Sequence, residues 1–202
     1  YHNCECYLMD ENLGYGVANN FGISKAKTDY VFIINPDTKI NEENYKKIVS
    51  YLYGQDFAIA APQIIESDKV YKQNKSEKKI IDVQQVPGMA MIINKSKFNK
   101  NYFDENIFMY LEETDLCKRM KDLGERILEI NIGISHLGGQ SHGDYDLEME
   151  KSRNWHWMWS KFYFNKKHHN YFYSFFKTLP NLLSSFFKVI LFSFIRNKAK
   201  SA

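Results

Sequence analysis

The stretch Tyr30-Val-Phe-Ile-Ile-Asn-Pro-Asp37 carries the first decision about the fold. Five apolar residues, Tyr30 to Ile34, read as a buried parallel strand. Asn35, Pro36 and Asp37 end it, and all three residue types favour turns. In open α/β sheets, ligands sit beyond the carboxyl ends of strands. Asp37 is therefore a candidate ligand for a hard divalent cation that holds phosphate oxygens in turn. A plain turn is the competing reading.

Around this strand, other elements alternate. Cys4 to Met9 reads as a short strand, and Gly14 to Lys27 as a helix. Asn41 is an N-cap, with Glu42 and Glu43 in the first turn of a helix to about Tyr53. Phe57 to Ala61 is a short apolar run that Pro62 stops. Glu66 to Lys79 is polar and lysine-rich, a loop or hairpin. Ile80 to Val86 and Met89 to Ile93 are strands flanking Pro87-Gly88. A helix from about Glu112 to Leu123 stops at Gly124, and Arg126 to Ile130 is a strand. The alternation predicts an α/β domain, its sheet mainly parallel and flanked by helices.

The character changes near residue 145, which divides the chain into a domain over 1–144 and an aromatic-rich helical extension over 145–202. Tyr145 to His169 is helical and contains the three tryptophans. Tyr171 to Ile195 is dominated by Phe and Leu, but Lys177, Pro180 and Lys188 break its apolar run before the roughly 18 residues of a spanning helix. From residue 181, Asn181, Ser184, Ser185 and Lys188 share one helical face opposite Leu183, Phe186, Phe187, Ile190 and Phe194. This predicts an interfacial helix attracted to anionic lipid; packing on a folded domain is the plainer reading.

The formal charge of +3 is mild, with Lys and Arg dominating after residue 150. No arginine-rich stripe or nucleic-acid motif occurs, so nucleic acid is not an expected partner. Cys4, Cys6 and Cys117 make no disulfide framework, which fits a reducing cytosol.

Several side chains are candidates for chemistry. Glu112, Glu113 and Asp115 open a helix straight after aromatic Phe108 and Tyr110. Acids there complement the helix dipole, and Asp115 can pair with Arg119 at i, i+4. A carboxylate against apolar surface also gains a raised pKa, which suits a base. His136, after Ile132 to Ile134, could complete a metal site with Asp37; a loop histidine is the alternative. His142 lies further into that loop and is the poorer candidate. Asn12-Leu-Gly-Tyr-Gly-Val-Ala-Asn-Asn-Phe-Gly22 brings small residues and amides to a helix start, which suits a diphosphate or sugar. Neither GxGxxG nor GxxxxGK[ST] is present.

The order of these pieces is more specific than any one of them. Asn12-x-Gly14 with Asn20-x-Gly22, Asn35-Pro-Asp37, Gly88-x-Ala90, Phe103-Asp-Glu105 with Phe108, Glu112-Glu-x-Asp-Leu-x-x-Arg119 and His136-x-Gly138-Gly-x-Ser141 follow one another. In this order the chain resembles the family 2 glycosyltransferases, in particular their bacterial rhamnosyltransferase-like branch.

The resemblance implies a GT-A fold, a nucleotide-sugar donor (a dTDP- or UDP-sugar), and inverting transfer of rhamnose or another hexose. The implied acceptor is a hydroxyl of a glycan or lipid-linked glycan in surface polysaccharide synthesis. The implied location is cytoplasmic, peripheral on the inner face of the cell membrane. It places Asp37 at the metal-binding carboxylate of the family's DxD-type motif and His136 at an added metal ligand, with Mg²⁺ or Mn²⁺ as the cofactor. Glu113 stands at the base position, where aspartate is common, and Glu112 and Asp115 position acceptor or base. Asn12, Gly14 and Asn20 line the donor pocket with Asn35 beside them, and Gly88 and Ala90 lie against donor sugar and acceptor. Only eleven residues precede Asn12, where the family places a nucleobase-binding strand, helix and strand. A chain without them would leave an exposed hydrophobic sheet edge, and a non-catalytic GT-A-like module or partner subunit is the alternative function.

Overall fold

The computed structural model describes residues 4–66, 69–70, 78–137 and 147–200. The chain divides into two compact units, Tyr1–Leu147 and Glu148–Ala202. Within the described residues, the first holds helices α1 (Tyr15–Lys25), α2 (Glu42–Leu52) and α3 (Glu112–Asp122). Its strands are β1 (Tyr30–Ile34), β2 (Thr38–Lys39), β3 (Ile59–Glu66), β4 (Lys69–Val70), β5 (Ile80–Asp82), β6 (Ala90–Asn94) and β7 (Ile127–His136). The second is a helical pair, α4 (Leu147–His168) and α5 (Tyr171–Lys200).

The strands form one sheet in the order β1-β6-β3-β7-β2, with β4 on β3 and β5 on β7. The sheet is mixed rather than mainly parallel. β3 and β7 pair in parallel, and every other described ladder is antiparallel. The Tyr30–Ile34 run is an edge strand antiparallel to β6, with Tyr30 52% exposed. Its middle is apolar throughout because both faces are covered: Val31 and Ile33 belong with one core cluster, Phe32 with the other. Apolarity reports covered faces and says nothing of strand direction.

These clusters lie on opposite faces of the sheet. One joins Ile59, Ala61, Met91 and Ile93 to Ile23 of α1 and Leu116 and Met120 of α3. The other joins Ala60, Ile64, Ile92 and Leu128 to Ile48 of α2. The period-2 alternation of strand side chains thus sends neighbouring residues into different cores.

Four further expectations are corrected. Cys4–Met9 forms no strand: these residues are exposed, and Tyr7 packs edge-to-face on Phe21 of α1. Pro62 lies inside β3 rather than ending it. The β6 ladder has already finished at Ala60, and the β7 ladder shifts register between Pro62 and Gln63, so the missing N–H of proline is tolerated. The strand predicted over Ile80–Val86 ends at Asp82, and that over Arg126–Ile130 runs on to His136. The caps are as read: Asn41 Oδ1 accepts from Asn44 N at 2.7 Å, and Gly124, with φ +83°, follows the end of α3. Much of the lysine-rich segment after Glu66, and Gly138 through Asp146, lie outside the described residues.

α1 enters through Gly14, with φ +90°. Its neighbour Tyr15 donates its backbone N–H to the Phe108 carbonyl at 3.2 Å. A Cβ on Gly14 would lie 2.9 Å from Phe108 Cα and closer still to its carbonyl oxygen. We therefore expect Gly14→Ala to destabilise the protein by about 2–3 kcal/mol in urea unfolding. Gly22 of the same helix has nothing within 4 Å of a built Cβ. Gly22→Ala should be neutral or stabilising by up to about 1 kcal/mol; equal losses in both would refute the close approach.

Candidate active site

The site is assembled at the start of α3. Tyr110 and Leu111 both have left-handed backbone, φ +70° and +68°. Each such non-glycine residue costs about 1–3 kcal/mol. Together they swing the chain into the helix, whose first turn carries Glu112, Glu113 and Asp115 and whose N-cap, Leu111, offers no capping side chain. Negative charge in that turn partly compensates the uncapped N–H groups.

The three carboxylates have different surroundings. Asp115 is fully buried and accepts from Arg119 Nε at 2.8 Å. The same guanidinium donates to the Asn101 carbonyl at 3.0 Å and to the Tyr102 carbonyl, tying α3 to the segment before it. Glu112 is 7% exposed, and its Oε2 has no hydrogen-bond partner among the described residues. Burial, then the charge of Glu113, lifts its pKa to about 7. Glu113 is half-buried, and burial raises its pKa too.

Opposite Glu113 lies the Pro87–Met89 loop. A Cβ on Gly88 would sit 3.4 Å from Glu113 Cβ and 3.6 Å from the Tyr15 hydroxyl. Tyr15 Oη donates to the Gly88 carbonyl at 2.6 Å. Burial, then the charges of Glu112 and Glu113, raises the Tyr15 pKa, so it stays a donor. Burial pushes the Cys117 thiol up to about 12, which leaves no thiolate nucleophile there.

The other side of this loop meets the Asn35-Pro-Asp37 turn. Asn35 N–H donates to the Met89 carbonyl at 2.9 Å, and Thr38 N–H closes the turn on the Asn35 carbonyl at 3.0 Å. The β2–β7 ladder sets Thr38 opposite His136, and Leu137 N–H donates to the Asp37 carbonyl at 3.0 Å. This register brings Asp37 Oδ1 to 3.2 Å from His136 Nε2. Among the described residues no group of three or more His, Cys, Asp or Glu could hold a metal ion. Two converging protein donors still fit an ion completed by diphosphate oxygens and water, as hard cations at phosphate sites commonly are.

The remaining expected residues are placed as follows. Asn12 Oδ1 accepts from Gly14 N–H at 3.1 Å, shaping the entry to α1. Asn20 brackets Phe103, accepting from its N–H and donating to its carbonyl, both at 2.9 Å, and donates to Glu105 Oε1 at 3.0 Å. Ala90 is fully buried, paired with Ile34, so its methyl belongs to the core. Gly138, Gly139, Ser141 and His142 fall outside the described residues. Sequence reading missed Tyr15 and the left-handed pair Tyr110–Leu111. Tyr15, between two glycines at a helix start, was visible only as part of a small-residue segment; the backbone pair left no compositional mark.

An α/β GT-A-like fold, with its mixed sheet, flanking helices and C-terminal helical pair, is the class these features define. The sequence profile of Glycosyl transferase family 2 matches residues 1–120, and the chain belongs to that family. It is 27% identical over 147 residues to the low-salt glycan biosynthesis hexosyltransferase Agl10 of Haloferax volcanii, covering 60% of this chain and 46% of that protein. It is 22% identical over 185 residues to the rhamnosyltransferase WbbL of Escherichia coli, covering 74% of this chain and 69% of that protein. Among solved structures, GalNAc-T7 with UDP, GalNAc and Mn²⁺ superposes with TM-score 0.52 at 12% identity, over 80% of this chain and 45% of that one. S. aureus TarS superposes with TM-score 0.51 at 14% identity, over 79% and 55%. The chain thus spans about half the length of the first of these relatives.

The Glu112 environment has a measurable consequence. The folded protein holds the Glu112 proton more tightly than the unfolded chain, whose carboxyl keeps its ordinary value of 4.5. Stability from this group is therefore highest below that value and falls as pH rises through about 7. Relative to Glu112→Gln, the wild type should lose on the order of 3 kcal/mol between these limits. Urea unfolding of both proteins from pH 4.5 to 8 measures it; a constant difference would reject the buried-acid account.

Proposed function

We propose that the protein transfers a hexose, rhamnose or a related sugar, from a dTDP- or UDP-sugar to a hydroxyl of a glycan or lipid-linked acceptor, with inversion at the anomeric carbon. One observation carries this reading: a single loop, Pro87–Met89, touches Glu113 on one side and the Asn35–Asp37 turn on the other. The proposed base and diphosphate-side carboxylate thereby flank one three-residue loop. Family membership and the hexosyl- and rhamnosyltransferase names of the two relatives support the reaction class. Surface polysaccharide synthesis at the inner face of the cell membrane is the setting this acceptor class implies.

In this mechanism Glu113 takes the proton of the acceptor hydroxyl as its oxygen attacks the anomeric carbon. The nucleoside diphosphate departs from the opposite face, so configuration inverts and no covalent enzyme intermediate forms. Glu113 is the better base of the pair because it faces the Gly88 loop and its side chain keeps some exposure, whereas Glu112 is buried. Burial raises the Glu113 pKa, which suits it to take up a proton, and the Glu113 charge adds to the burial that raises Glu112. Asp37 and His136 would hold Mg²⁺ or Mn²⁺, which supplies charge stabilisation to the leaving diphosphate when bound. Tyr15 fixes the Gly88 carbonyl and so the wall between the two sides.

Release of nucleoside diphosphate from UDP- and dTDP-sugars, with Mg²⁺ or Mn²⁺ and a lipid-linked glycan acceptor, tests the reading. Glu113→Gln should lower turnover by about 10²–10⁴-fold while donor affinity stays within a few-fold. Asp37→Asn should weaken donor binding and metal stimulation together. Undiminished turnover by Glu113→Gln would reject the base assignment, and turnover indifferent to added or chelated metal in the wild type would reject the cation.

A further inference from the structure

The helical unit formed by α4 and α5 buries small polar side chains and leaves many large apolar ones exposed. Its sealed residues include Ser160, Asn165, Ser174 and Thr178. Ser174 Oγ donates to the Phe162 carbonyl at 2.6 Å, joining α5 to α4. Thr178 Oγ1 donates to the Ser174 carbonyl at 2.8 Å, and Asn165 Nδ2 to the Lys161 carbonyl at 2.7 Å. Helices that meet in water put their apolar stripe at the contact. Small hydroxyl residues at the contact, with large apolar side chains outside, is the arrangement of helices in apolar surroundings.

The exposed side is an ordered stripe. At about 100° per residue, Phe172, Phe175, Phe176, Leu183, Phe186 and Phe187 fall on one face of α5, and all six are exposed. Phe172 is 73% exposed and Phe176 66%. Ser174, the contact with α4, lies roughly opposite this face, so packing against α4 leaves the stripe uncovered. Lys177 projects from the far side of the helix. The stripe begins two turns before Pro180 and continues past it, because α5 is one helix from Tyr171. Sequence reading had started the amphipathic segment only at residue 181.

Charge selects the occupant. Of the chain's 27 Lys and Arg, ten lie after residue 150, and of its 24 Asp and Glu none does. A second copy of the unit would meet this face with ten Lys and Arg against two acids, Glu148 and Glu150 at the start of α4, and a symmetric contact would repeat that repulsion on both sides. An anionic surface meets it with complementary charge. No helix among the described residues is long and apolar enough to cross a membrane, so the stripe lies along a surface.

We propose that the α4–α5 unit seats on an anionic lipid surface, with the Phe172–Phe187 stripe in the boundary between headgroups and acyl chains and the unit's lysines toward the headgroup phosphates. Exposed Trp155 and Trp159 of α4 have the amphipathic rings that favour this depth. The inference is independent of the transfer reading, since neither the stripe nor the charge segregation involves Asp37 or Glu113.

Co-sedimentation of the full chain with vesicles tests it. Vesicles of phosphatidylglycerol and phosphatidylcholine should bind the protein at least tenfold better than phosphatidylcholine alone, and 0.5 M salt should weaken binding. Phe172→Ser combined with Phe176→Ser should lower partitioning about tenfold, as should Lys166→Glu with Lys167→Glu. Tyr45→Ser with Val49→Ser, on the exposed face of α2, should leave it unchanged; these residues are also apolar and exposed. All variants replace exposed side chains, and circular dichroism checks that they fold. No binding by the wild type, or equal binding to neutral vesicles, overturns the proposal. So does equal binding by the double-serine stripe variant. Sedimentation equilibrium separates the remaining case: self-association that the stripe variant abolishes, without vesicle binding, would assign the stripe to a second copy and overturn the lipid assignment.

Discussion

The parallel ladder between β3 and β7 sets the geometry on which the first unit depends. It runs from Ile59 opposite Ile127 to Ile65 opposite Ser135, at the centre of both core clusters. β6 is antiparallel to β3, and β1 is antiparallel to β6. β1 therefore runs in the same direction as β3 and β7, although it hydrogen-bonds to neither. The carboxyl ends of β1 and β7 lie at one end of the sheet, and so does the amino end of β6, where Gly88 precedes it. This is why Asp37, His136 and Gly88 can belong to one site. The rule that ligands sit beyond the carboxyl ends of strands applies to strand direction, and it survives an antiparallel strand inserted between two co-directional ones.

Against this scaffold the first turn of α3 is held in an unfavourable state. A helix dipole contributes about 0.3–1 kcal/mol per acid, too little to offset the burial that raises Glu112 to a pKa of about 7. The left-handed pair Tyr110–Leu111 adds strain in the same place. Surrounding contacts enforce both: Gly14 closes on Phe108, and Arg119 ties α3 to residues 101 and 102. A buried carboxyl and backbone strain within a few residues of each other are features that cluster at functional sites. A helix start serving stability alone would be capped by Ser, Thr, Asp or Asn.

Local chemistry was legible in the sequence wherever a short-range rule decided the outcome. Asn41 caps α2, Gly124 follows α3, and Asp115 pairs with Arg119 one helical turn away. What was not legible depends on partners far along the chain. Strand direction, the passage of β3 through Pro62, and the extension of β7 to His136 follow from which strands meet, and side-chain patterning does not encode that. Of the site, Asp37 and His136 were readable as candidates by residue type, but their 3.2 Å approach follows from a two-residue ladder between β2 and β7. Tyr15 was hidden because its partner, the Gly88 carbonyl, is 73 residues away.

The residues that made the family resemblance divide into two kinds. Gly14, Asn20, Asp115 and Arg119 join backbone segments: one by its missing Cβ, the others by hydrogen bonds to main chain or to each other. Glu112 and Glu113 make no ion pair among the described residues, and Glu112 keeps an unsatisfied oxygen. Substituting a scaffold residue would disturb the fold first and activity only as a consequence. Substituting Glu113 would leave the ties made by Gly14, Asn20, Asp115 and Arg119 in place. A motif composed of both kinds therefore supports the fold through its scaffold members and the chemistry through its unpaired carboxylates. It is this second, smaller set, held between Gly88 and the entry to α3, that gives the transfer reading its physical content.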